Sequence, residues 1–100
     1  MSTSQIDIAD ATALSVRVND LDLVVDLADG RTITVPVAWF PRFAHGTQAE
    51  KSNWRLIGRG HGIHWPDLDE DIGIESLLTG RRSHESDASL SRWLASRNVR

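Results

Sequence analysis

From Leu14 to Val37 the chain alternates apolar and polar residues, and this period of two constrains the fold more than any other feature. Leu14, Val16 and Val18 alternate with Ser15 and Arg17. Leu21, Leu23, Val25 and Leu27 alternate with polar residues apart from Val24, and Ile33, Val35 and Val37 alternate with Thr32, Thr34 and Pro36. Such alternation predicts three strands, each with one buried face. The turns then set the register. A two-residue loop at Asn19-Asp20 places Val18 opposite Leu21, Val16 opposite Leu23, Leu14 opposite Val25 and Arg17 opposite Asp22. At the second turn, a two-residue Asp29-Gly30 loop would oppose Asp26 to Ile33 and mix the faces. A three-residue loop, Ala28-Asp29-Gly30, opposes Leu27 to Arg31, Val25 to Ile33 and Leu23 to Val35, with Gly30 in the left-handed position. The expectation is a three-stranded antiparallel meander with one apolar face. Pro36 lacks an N–H donor and belongs at an edge or at the end of a ladder.

The remaining chain reads as short helices around one short extended segment. Pro41 suits the first turn of a helix. Thr47-Gln48-Ala49-Glu50 is a capping-box pattern, which predicts a helix from Gln48 toward Asn53. Gly58, Gly60 and Gly62 predict a sharp turn, and Ile63-His64-Trp65 before Pro66 predicts extended backbone. Ile74 to Leu78 reads as a short helix stopped by Gly80. Leu90, Trp93, Leu94 and Arg97 share one face of a C-terminal amphipathic helix from Asp87 to Ser96, capped by Ser86 or Asp87. A sheet with helices on one face makes an α+β fold. The division expected is a flexible lead-in at 1–12, an α+β domain at 13–80, and a linker with the C-terminal helix at 81–100.

Composition narrows the function classes. At 100 residues, 40% hydrophobic and 25% charged, the chain fits one soluble domain. A formal charge of −3 disfavours direct nucleic-acid binding, which depends on neutralising phosphates. Residues 1–50 carry seven acidic and three basic side chains; residues 51–100 carry seven and eight. With no cysteine there are no disulfides, thiolate nucleophiles or cysteine-based zinc sites. No apolar run reaches the roughly 20 residues of a membrane helix. The N-terminus lacks the basic and apolar regions of a signal peptide. No membrane association is expected, and the cytoplasm is the expected location.

The segment Asn53 to Asp71 concentrates the unusual chemistry: two of four tryptophans, two of four histidines, three glycines and four carboxylates. Several catalytic and metal readings fail on mechanics. Asp67-Leu68-Asp69-Glu70-Asp71 imitates the start of a calcium loop, but Ile72 stands where the loop needs glycine and Leu78 where it needs a bidentate glutamate. Gly58-Arg59-Gly60-His61-Gly62 is too short for a phosphate loop and lacks its Lys and Ser or Thr. His61 and His64 on an extended strand point to opposite faces. The expectation is therefore no cofactor and no enzymatic activity. The first alternative is a small-ligand or metal-binding domain centred on His61, His64 and Asp67–Asp71. The second is a hydrolase-like enzyme using His64 and Asp69.

The tryptophans and their arginine neighbours suggest recognition, since both residue types concentrate at binding hot spots. The contact surface expected consists of Trp39, Arg42, Trp54, Arg55, His64 and Trp65, with Asp69 and Asp71 as its acidic side. Leu90, Trp93 and Leu94 of the last helix form a second attachment point. A protein partner is expected, and self-association is compatible with the same surface.

The ordered string Asp29-Gly30, Trp39-Phe40-Pro41-Arg42-Phe43, Asn53-Trp54-Arg55, Gly58, Gly60, Gly62-Ile63-His64-Trp65-Pro66, Leu68-Asp69-Glu70-Asp71-Ile72 and Leu77-Leu78 resembles a bacterial family of small domains of unknown function, over residues 12 to 80. The resemblance implies an α+β fold, small cytoplasmic proteins and no established enzyme activity. It also implies a place as second member of a two-gene, toxin–antitoxin-like pair. Some members of that family carry a helix-turn-helix after this domain; the 20 residues after Gly80 are too few for one.

Overall fold

The computed structural model describes residues 10–98. Of the lead-in, residues 1–9 lie outside the described residues. Ala11 is buried, and Thr12 O accepts the Ala28 N–H at 2.9 Å.

The alternating stretch forms the meander β1 (Ala13–Val18), β2 (Asp22–Leu27) and β3 (Thr32–Pro36), in the order β1-β2-β3. The second hairpin has the register the turn arithmetic requires. Val25 opposes Ile33, Leu23 opposes Val35, Leu27 N–H donates to Arg31 O at 2.8 Å, and Gly30 has φ +98. Pro36 closes an edge strand. The first hairpin differs by two residues. Asn19 Oδ1 accepts the N–H groups of Leu21 and Asp22 at 2.8 and 2.7 Å, which moves the turn onward so that Val18 opposes Leu23 and Val16 opposes Val25. A shift of two preserves the faces, but it leaves Leu21 exposed in the turn. Arg17 opposes Val24 rather than Asp22, and its guanidinium donates to Asp26 at 2.7 Å. Ser15 and Thr32 also donate to Asp26. With Arg17 foremost, these donors hold the Asp26 carboxyl at about 2. A bulge between Ala13 and Ser15 turns Leu14 out to solvent and Ala13 in. Gly60 packs beside the bulge: a Cβ there would lie 3.2 Å from Ala13 O, so the backbones meet closely here.

After β3, a 3-10 turn (Val37–Trp39) leads into α1 (Pro41–Ala44) and α2 (Gln48–Ser52). The capping box is complete, with Thr47 Oγ1 accepting Glu50 N–H and Glu50 Oε1 accepting Thr47 N–H. The extended segment predicted around His64 is the central strand of a second antiparallel meander: β4 (Arg55–Ile57), β5 (Gly62–Trp65) and β6 (Glu70–Gly73). The glycine turn joins β4 to β5, with positive φ at Gly58, Arg59 and Gly60. α3 (Ile74–Leu78) and α4 (Asp87–Asn98) complete an α+β fold, and Ser86 Oγ caps α4 by accepting Ser89 N–H at 3.0 Å. Among the described residues no helix is long and apolar enough to cross a membrane.

One core joins the two sheets. Val16, Leu23, Val25 and Val35 from the first meander and Ile63, Trp65 and Ile72 from the second enclose Phe43, Leu68, Ile74 and Leu77. Phe43 meets Trp65 edge to face at 4.9 Å between centroids, and Trp65 Nε1 donates to Lys51 O at 3.0 Å. The Lys51 stem is buried while its ammonium reaches Asp20 at 3.4 Å.

Arg42 fastens the far end. It donates to both Glu85 carboxylate oxygens at 2.6 and 2.9 Å, and to the carbonyls of Leu68 and Asp69 at 3.3 and 2.7 Å. Its guanidinium also lies over the Trp93 ring, 4.9 Å from the centroid. Arg97 stacks on the same ring at 4.7 Å and bonds Glu50 and Asp67 O. Thus α4 packs onto the body through Trp93.

Removing one partner of a shielded, hydrogen-bonded ion pair strands the other. We expect Arg42→Ala to lower unfolding free energy by about 3 kcal/mol. Arg42→Lys should restore less than half of this, because an ammonium cannot serve the same planar set of acceptors. Urea denaturation checks both; an unchanged midpoint in Arg42→Ala would show that the hub is dispensable.

Candidate functional site

The second meander sorts its side chains by pleat. On the inner face Leu56, Ile63 and Ile72 form one cross-strand row, and Trp65 opposes Glu70 in the next. On the outer face Arg55, His64 and Asp71 form a row, and Ile57, Gly62 and Gly73 form its neighbour. His64 Nδ1–H donates to the Asp71 carboxylate, which orients the imidazole. Arg55 and Asp71 are exposed, and Ile57 is 37% exposed. Gly62 and Gly73 leave this face low; a Cβ at Gly62 would meet Ile57 Cγ1 at 3.1 Å. The outcome is a shallow surface bearing both charges and one apolar side chain.

The expected contact residues divide between this surface and the interior. Arg55, His64 and Asp71 come together on the outer face. Trp65 does not belong to any contact surface: it is fully buried, because β5 directs it inward and Lys51 O satisfies its indole N–H. Arg42 and Trp93 are spent on each other and on Glu85, so both work inside the molecule. Leu90 and Leu94 are half-buried on α4. Trp54 is half-buried against the core. Trp39 is also half-buried and carries Arg82 over its ring at 4.9 Å. Asp69 is exposed at positive φ and lies 3.8 Å from Arg42.

The residues named for the two alternative chemistries do not converge on one another. Among the described residues no three His, Asp or Glu side chains gather to hold a metal ion. His61 is exposed at the end of the glycine turn, and Asp67 accepts from Asn53 at 2.8 Å. Asp69 turns toward Arg42, while His64 is bonded to Asp71.

Sequence reasoning overlooked a cleft of about 310 Å³ along β6, lined also by Arg81, Arg82, Ser83 and His84 and by Phe40 and Ser76. Glu70 stands on its wall. Because Glu70 shares the inner face with Trp65 and Ile72, burial pushes its carboxyl up to about 7; Glu85, Asp71 and Asp69 add to the rise, against Arg42. The signal was present in the chain. Leu68, Glu70, Ile72 and Ile74 alternate with polar residues or glycine, and Glu70 occupies an apolar slot.

This arrangement can be set beside known proteins. Residues 13–83 match the family described as protein of unknown function (DUF2442). The chain belongs to DUF2442. No curated protein matches it. It is similar in fold to a crystal structure of a protein of unknown function from Rhodospirillum rubrum, with TM-score 0.65 and 23% identity over 79% of this chain and 95% of that one. It is likewise similar to a solution structure of an uncharacterized protein from Chromobacterium violaceum, with TM-score 0.62 and 23% identity over 88% of this chain and 77% of that one. At that identity the likeness concerns the DUF2442 fold.

Glu70 yields a pH test with a definite sign. Its folded value lies above its ordinary 4.5, so its stabilising contribution is complete below that value and is lost as pH rises through about 7. We expect Glu70→Gln to be more stable than the parent at pH 8 by roughly 2–3 kcal/mol, and equal to it near pH 4. Urea titrations at several pH values read this difference; a constant difference across the range contradicts the burial of Glu70.

Proposed function

We propose that this domain is a non-catalytic protein-interaction module that docks a second protein on the outer face of its second sheet. The observation that carries the reading is the Arg55–His64–Asp71 row beside Ile57 and the two low glycine positions. Opposite charges on a rigid sheet select a partner and fix its orientation, while an apolar neighbour adds area removed from water. Trp54, next in sequence to Arg55 and half-buried, stiffens this edge. The non-catalytic part of the reading is supported by His64, whose one side-chain hydrogen bond among the described residues goes to Asp71 rather than to a hydroxyl nucleophile.

The resemblance noted in the sequence supplies the finer form: a cytoplasmic, antitoxin-like member of a small bacterial two-protein pair. The net charge of −3 favours a protein partner over nucleic acid. Self-association through the same face is the competing occupant, and sedimentation of the purified chain separates the two.

Arg55 makes no ion pair among the described residues, so reversing it leaves the fold undisturbed. We expect Arg55→Glu to weaken binding of the neighbouring gene's product by about tenfold or more, with an unchanged melting temperature. Asp71→Lys should act in the same direction. Calorimetric titration with the purified neighbour reads the effect; full affinity in both folded variants would remove the outer face from the interface.

A further inference from the structure

We propose that the free edge of β6 accepts an extended acidic segment of a partner protein as a fourth strand of the second sheet. This mode rests on the reading of the domain as an interaction module and adds where the partner's backbone lies.

The ladder shows which groups are free. Ile74 N–H donates to His61 O at 2.9 Å, so the alternating pattern turns Ile72 and Glu70 toward β5 and Asp71 and Gly73 outward. Gly73 precedes α3 as its N-cap, which commits its carbonyl to the helix. That leaves Asp71 N–H, Asp71 C=O and Gly73 N–H along the cleft, with no hydrogen-bond partner among the described residues. A row of unpaired strand-edge groups is a template for another strand.

The opposite wall does not fill this role. Ser83 N–H donates to Trp39 O at 3.0 Å and Arg81 N–H to Ser76 O at 2.9 Å, so the segment is held away from β6 rather than paired to it. Between them lies the cleft of about 310 Å³.

The charge of the occupant follows from the walls. Arg81 and Arg82 line the far side, and neither is paired with a carboxylate among the described residues. On the near side, the Asp71 carboxylate is engaged by His64 on the outer face. Burial of Glu70 reduces its charge at neutral pH. The order of free groups, donor, acceptor, donor, distinguishes a peptide from a simple anion. A phosphate or free carboxylate would meet the Asp71 carbonyl oxygen, whereas a residue of an incoming strand uses both Asp71 groups at once.

The test uses the full chain and three probes: a blocked hexapeptide of alternating glutamate and valine, its lysine–valine counterpart, and inorganic phosphate. With the acidic peptide we expect backbone resonances of Asp71 and Gly73 to shift and their amide exchange to slow. Gly73→Pro deletes one donor at a φ of −84 that proline tolerates, and should weaken the acidic peptide by about tenfold. Gly73→Ala keeps the donor and should bind normally, since a Cβ there meets only Ser76 Oγ at 3.8 Å. The double variant Arg81→Glu, Arg82→Glu, on exposed residues, should lose the acidic peptide and gain the lysine one. Equal binding of both peptides by the parent, displacement of the peptide by phosphate, or unchanged affinity in Gly73→Pro would each overturn strand addition. If the neighbour's product binds Gly73→Pro as it binds the parent, strand addition fails and the module reading stands. If that product never binds while the acidic peptide does, the pairing with a neighbour fails and the β6 site stands.

Discussion

The guanidinium of Arg42 is the interaction on which the rest of this molecule depends. One planar group joins α1, the turn after β5, the segment before α4 and the ring of Trp93. Each of these contacts spans distant parts of the chain. Because its pair with Glu85 is largely shielded from water, the pair is strong only while both partners are present. It also places a positive charge near Glu70 without bonding it. That attraction limits, but does not cancel, the effect of burial on the Glu70 carboxyl.

The two meanders divide the labour. The first is built for rigidity, with a continuous apolar face and Asp26 tied by three donors on the opposite side. The second is short and open. Its strands have three or four residues, its outer face holds two glycines, and its β6 edge carries backbone groups without partners among the described residues. It keeps its shape because Trp65, Ile63 and Ile72 are clamped in the shared core and because Arg42 and Arg97 fix the turn after β5. A recognition surface needs that combination of firm support beneath and free groups above.

What could be read from the chain follows its physical range. The second hairpin was legible because Gly30 permits one loop and parity excludes the other. The first hairpin was misplaced by two residues because Asn19 folds its own side chain onto the turn, a local bond that alternation does not report. Alternation alone places Leu14 inward and does not report the bulge that turns it out, which lies against Gly60, far along the chain. The α+β class and the short helices were plain from caps and glycines. The second sheet showed only its central strand, since three residues of β4 are too few to display a period. Arg55, His64 and Asp71 were legible as one charged cluster around the glycine turn, and they do share one face of the second sheet. The inward position of Trp65 and the internal use of Arg42 were not, because Glu85, Trp93 and Lys51 O meet them only after folding.

Glu70 is a local conflict within the apolar pattern of its strand. An aliphatic residue at that position would extend the apolar row of Trp65 and Ile72 and avoid the cost of burying a carboxyl. The chain instead departs from its own pattern at Glu70, at Asp69 with its positive φ, and at Gly73, within one short strand and its entry. Each departure alone is a small penalty. Together they produce a strand whose inner face is partly polar, whose edge is unpaired and whose outer face is low, beside a wall carrying two arginines. Stability alone would favour none of these, and departures from local consistency concentrate where a protein meets something else.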